Sequence, residues 1–98
     1  MNLLQPFNCS PQLLFARFIL RALFKLEITL PDQPGSLGAV ASAIGFAGGD
    51  IRGLQVLKSE DGRGYDEIMV AVPGSDPTDL LDVLRQIGGV DVLSCNPA

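Results

Sequence analysis

The chain contains no histidine and no tryptophan, and only two cysteines among its 98 residues. The first absence removes the side chain that titrates near neutrality and serves most often as catalytic base or metal ligand. Histidine-based triads and the common zinc sets are therefore excluded. Cys9 and Cys95 stand far apart, without C-x-x-C spacing and without a histidine to join them at a metal. They read as reduced thiols, a bridge between them having no positive support, and a reducing cytoplasm is the expected compartment. Positive charge is scarce too. Seven basic residues against eleven acidic ones leave a net charge of −4, so no nucleic-acid partner is expected.

A long uninterrupted apolar run is also missing. The nearest approach, Leu13 to Leu23, is broken by Arg17 and Arg21, which leaves it too short and too charged to span a bilayer. It also lacks the charged start and cleavage pattern of a secretory leader. Arg17, Arg21 and Lys25 are spaced by four, as in a basic helix lying on a membrane, yet large apolar residues surround them on most sides. A membrane partner is not expected. Asn8-Cys9-Ser10 fits the glycosylation sequon formally, but so short a match arises by chance and the compartment argues against it. We read residues 1–21 as an N-terminal extension that packs on the domain or lies ahead of it, and residues 22–98 as one domain.

What is present is a well-patterned small core, with 47% hydrophobic and 18% charged residues, only modestly stable by itself and helped by a partner subunit. Phe24, Leu26, Ile28 and Leu30 alternate with Lys25, Glu27 and Thr29, the period of a strand with one buried face. Leu37, Val40, Ala41, Ile44 and Ala47 then recur at helical spacing up to Gly48-Gly49. Between them lies Asp32-Gln33-Pro34-Gly35-Ser36-Leu37. Pro31 and Pro34 cannot donate to a ladder, Gly35 opens a backbone geometry closed to other residues, and Ser36 is the expected N-cap. The first-turn amides left over would face an anion such as a carboxylate.

Further on, Asp50 opens a second strand through Leu57, and Glu60-Asp61-Gly62-Arg63-Gly64 supplies hairpin chemistry. Tyr65 to Val72 forms the third strand, with Ile68, Val70 and Val72 on one face. Gly62-Arg63-Gly64 is not a phosphate loop, because no helix follows to offer its dipole. Pro73-Gly74-Ser75 ends the strand, Asp76 or Thr78 caps a helix lined by Leu80, Leu84 and Ile87, and Gly88-Gly89 precedes a last strand from Val90 to Cys95. The order β-α-β-β-α-β predicts an α+β ferredoxin-like sandwich, a four-stranded antiparallel sheet with both helices on one face.

Catalytic chemistry finds no foothold in this pattern. Asp61, Asp66 and Glu67 form a charged hairpin, expected to be a solvated face, with no base or nucleophile beside them. Ser36 and Ser42 have neither a histidine nor a nearby lysine to activate them. No catalytic residue, metal ligand or cofactor is expected, and the chain does not read as an enzyme.

Leu26 to Leu37, together with Ala43-Ile44-Gly45-Phe46-Ala47-Gly48-Gly49-Asp50-Ile51 and Ile87-Gly88-Gly89-Val90, resembles the ACT domain from about Ala22 to Asn96. The form is similar to the small bacterial ACT proteins and to the ACT segment that precedes some malic enzymes. The resemblance implies a regulatory module that binds an amino acid or similar small ligand between paired domains, as a homodimer. By that likeness the ligand-binding residues are Asp32, Gln33, Pro34, Gly35, Ser36 and Leu37 of the turn and, across the pair, Asp50 with its neighbour Ile51. Leu30 stands where some serine-binding members carry a polar side chain, so serine is not implied. Asp50 in place of an asparagine lacks an amide donor but can accept from an ammonium group. The other reading of the same residues is a ligand-free dimerisation or docking domain for a metabolic enzyme, in which the turn is purely structural.

Overall fold

The alternation that marks the first strand becomes the centre of the sheet in a computed structural model, which describes residues 21–98. The expectations for residues 1–20, including Cys9, the formal sequon and the basic spacing at Arg17, lie outside the described residues. Strand β1 (Ala22–Pro31) is followed by helix α1 (Ser36–Phe46), strands β2 (Asp50–Glu60) and β3 (Arg63–Val72), a short 3-10 turn at Pro73–Ser75, helix α2 (Thr78–Arg85) and strand β4 (Asp91–Pro97). The sheet order is β2-β3-β1-β4 with every neighbouring pair antiparallel. This is the ferredoxin-like arrangement expected from the element order.

Phe24, Leu26, Ile28 and Leu30 of β1 and Ile68, Val70 and Val72 of β3 point to the helix side, where they meet Val40 and Ile44 of α1 and Leu80 and Leu84 of α2. Leu26, Ile28, Ile44, Ile68, Leu80 and Leu84 are among the fully buried side chains, each contributing about 1.5–3 kcal/mol by its removal from water. The opposite face carries Lys25, Glu27, Tyr65, Glu67 and Met69, as the period of two requires. There Arg63 stitches three strands together: its Nε donates to Thr29 Oγ1 at 3.2 Å and its guanidinium lies 3.5 Å from the Asp91 carboxylate.

The connections follow from local chemistry. Asp61 and Gly62 both take positive φ, 55° and 77°, the two-residue turn whose twist matches the strands it joins. Helix α1 ends with the Gly48 amide on the Gly45 carbonyl and the Gly49 amide on the Ile44 carbonyl at 2.8 Å. With Gly48 at φ 86°, this is the left-handed helix stop expected of a glycine pair. Helix α2 is shorter than its apolar spacing suggested, closing at Arg85 before Gly88-Gly89. Neither expected cap holds the cap position, which falls to Pro77 with no side chain capping it; Asp76, one residue earlier, accepts at Oδ1 from the Thr78 amide at 3.0 Å and hydroxyl at 2.7 Å. Those bonds hold the Asp76 carboxyl below its ordinary range.

The helices do not roof the whole sheet. Ile51, Leu54 and Val56 face the helix side through their pairing with Val70, Ile68 and Asp66, yet Leu54 and Val56 remain 45% and 58% exposed. Edge strand β2 therefore presents an apolar strip beside the first helix.

Candidate functional site

The turn after β1 is built almost entirely from backbone. The Asp32 amide donates to the Gly62 carbonyl at 2.9 Å, which ties the turn to the tip of the β2–β3 hairpin. The Gln33 amide closes back on the Pro31 carbonyl, and the Ser36 amide reaches the Gln33 carbonyl at 3.2 Å. Gly35, at φ 87° and ψ −16°, is the residue that caps α1, and no side chain caps it. Here the structure corrects the expectation for Ser36. Its amide is already spent within the turn and it forms the first residue of the helix, because the left-handed step at Gly35 starts the helix one residue earlier.

That geometry leaves two donors. The Ala39 amide reaches the Gly35 carbonyl at 3.0 Å, but among the described residues no acceptor meets the amides of Leu37 and Gly38. They sit at the positive end of the α1 dipole. A cleft of about 140 Å³ opens at Leu37, walled by Leu30, Leu37 and Val56 and edged by Asp32, Gln33, Ser36 and Ser59. On the turn's other flank Gln33, Pro34, Gly35 and Ser36 border a shallower opening of about 340 Å³ towards Ile87 and Val90. The six predicted turn residues thus stand together.

Asp50 and Ile51 do not join them within one subunit. Asp50 pairs with Ala71, whereas Pro31, just before the turn, pairs with Arg63. Those partners lie at opposite ends of β3, a separation of roughly 26 Å at about 3.3 Å per residue. Asp50 is also engaged locally, 3.5 Å from the Arg21 guanidinium and 4.0 Å from that of Arg52. Ile51 packs against the core from its half-buried position.

The residue that sequence reasoning missed is Asp66. Its place in a charged hairpin predicted a solvated side chain, but it is only 4% exposed and lines the cleft beside the turn. It pairs with Ile28 on one side and Val56 on the other, on the helix-facing side of the sheet. Burial, and then the nearby Asp32 carboxylate, push its pKa above the ordinary carboxylate range. The available signal was parity, since Gly64, Asp66, Ile68, Val70 and Val72 share one side of β3.

The sequence model of the ACT domain family matches residues 24–89, about two thirds of the chain, from β1 to the glycines before β4. The chain belongs to the ACT domain family. ACT domains are in general regulatory ligand-binding modules rather than catalytic ones. Solved structures share the fold. A crystal structure of the ACT domain from GTP pyrophosphokinase of Chlorobium tepidum superimposes with a TM-score of 0.58 at 21% identity, covering 80% of this chain and 99% of that one. Its solution NMR structure gives a TM-score of 0.58 at 24% identity, over 81% of this chain and 88% of that one. An unknown protein from Galdieria sulphuraria matches with a TM-score of 0.70 at 14% identity over 80% of this chain. This ACT chain spans 45% of the length of that Galdieria protein.

Proposed function

We propose that the chain is a regulatory module that binds a free amino acid and acts as a cytoplasmic homodimer, without catalytic activity or cofactor of its own. The observation that carries this reading is the pair of amides at Leu37 and Gly38 that no described acceptor meets, behind the left-handed Gly35, where Leu37 lines a small cleft. Such amides suit a carboxylate, and the cleft is smaller than the several hundred Å³ of sites that hold drug-sized ligands. Asp32, and Asp50 brought from a second subunit, supply acceptors for the ammonium group. Only a second copy could deliver Asp50 to the turn, given the distance within one chain. Residues 22–98 form the binding domain in this reading, and residues 1–21 are an extension of it.

The exposed apolar strip at Leu54 and Val56 favours a second reading, a dimerisation or docking domain for a metabolic enzyme that binds no ligand. Thermal unfolding against the twenty amino acids and common nucleotides separates the two, since a ligand selective for the folded state raises the midpoint. A selective rise with one or a few amino acids supports the sensor. No rise with any of them favours the docking domain. Light scattering at micromolar concentration checks the dimer, and a monomer mass removes the inter-subunit role of Asp50.

A further inference from the structure

Asp66 has no counter-ion among the described residues. Arg21 and Arg52 are taken by Asp50, Lys25 by Glu67, Lys58 by Glu60 and Arg63 by Asp91, and Arg85, at the end of α2, makes no ion pair with Asp66 and acts on Cys95. No described hydrogen-bond donor meets its carboxylate. From β1 it faces Ile28, from β2 Val56, and among the described residues the only other charged side chain in its cleft is Asp32, which repels it. A carboxylate removed from water without a partner is costly. Its retention in an otherwise well-packed sheet is accounted for if something arrives to neutralise it.

We propose that Asp66 receives the primary ammonium group of the amino-acid ligand, within the same subunit whose Leu37 and Gly38 amides hold that ligand's carboxylate. The inference rests on the amino-acid reading for the class of ligand, and moves the ammonium acceptor from Asp50 of a second copy to β3 of the first. The same small cleft is lined by Leu37 and Asp66, so the α-carbon end of an amino acid seated there has a donor for its carboxylate and an acceptor for its ammonium group in one cleft. Asp32 adds a second acceptor at the rim, and Leu30 and Val56 bound the side chain. A divalent cation is a poorer match, because two carboxylates offer too few oxygens for such an ion and no group of three metal-type side chains stands among the described residues.

The test uses the full chain, the twenty amino acids, and for each amino acid that binds its α-hydroxy-acid analogue, measured by calorimetry. Asp66→Asn is expected to weaken the amino acid by roughly 10- to 100-fold, the loss of a charge-assisted bond, while leaving the hydroxy acid unchanged. An amino-acid affinity indifferent to Asp66→Asn overturns the inference and leaves the amino-acid reading standing. If that variant does not fold, the Asp66 carboxyl carbon resonance of the wild-type chain decides, a shift on titration supporting the contact and no shift overturning it. If none of the twenty binds, the amino-acid reading falls. Methylammonium is then titrated against the same resonance, and a saturable shift sustains a cation site at Asp66 whereas no shift ends it.

Discussion

Replacing Gly49 by alanine tests the packing reason for the glycine pair that stops α1. A Cβ built at Gly49 would stand 2.8 Å from Ile44 Cγ2, 2.9 Å from Val70 Cγ1 and 3.1 Å from the Ile44 carbonyl oxygen. Ordinary carbon contacts lie at about 3.5–4.0 Å, so each methyl would have to withdraw by roughly 0.6–1.2 Å. Ile44 and Val70 are both fully buried, and β-branching leaves each few rotamers to escape into. Overpacking of this kind costs about 1–3 kcal/mol. For a domain of this size that lowers the melting temperature by roughly 4–24 °C, at about 4–8 °C per kcal/mol. The same substitution at Gly45 meets no atom within 4 Å on the exposed side of α1. There it should stabilise by about 0.5–1 kcal/mol through helix propensity. Thermal unfolding followed by circular dichroism, at one fixed protein concentration, measures both. Gly49→Ala within about 0.5 kcal/mol of wild type would refute the close-approach argument.

Three further outcomes follow from other parts of the fold. Because Asp66 holds its proton more tightly folded than unfolded, its contribution to stability falls as pH rises from about 4 towards its raised folded value and is flat above it. Asp66→Asn should therefore stabilise the chain more at pH 7 than at pH 4, and a pH-independent difference in urea midpoints contradicts the buried-carboxylate account. Asp50→Ala should weaken an amino acid by about 1–3 kcal/mol if a second copy's Asp50 touches the ligand and leave it unchanged if Asp66 alone receives the ammonium group. Calorimetry on the two variants distinguishes these outcomes. A chain starting at Ala22 should keep its circular dichroism spectrum and cooperative unfolding, since the described loss is the Arg21–Asp50 pair, whose side chains are 37% and 55% exposed, worth under about 1 kcal/mol. Aggregation of that shortened chain would show instead that the first 21 residues cover apolar surface.

The sequence by itself determined the fold. The alternation in β1, the Asp61-Gly62 turn and the two glycine-terminated helical stretches each have a local cause, and together they leave one topology for a chain this short. The turn after β1 was legible for the same reason, since proline and glycine fix backbone geometry without help from distant residues. Ser36 marks the limit of that legibility. Its residue type suited a cap, but the conformation of Gly35 decided which residue held that position. Leu54 and Val56 share the face of Ile51 only through a bulge between Ile51 and Gly53, which parity in the sequence does not show, and only the placement of α1 decided that this face is left open along β2. Asp50 and the turn, which the resemblance joins only across a pair of domains, stand at opposite ends of the sheet within one chain, because an antiparallel strand carries its first residue away from the partner's start. Asp66 shows the same division most sharply. Neighbouring charges suggested water, but burial is set by what packs above a residue, and the roof over Asp66 comes from elements remote from it in sequence.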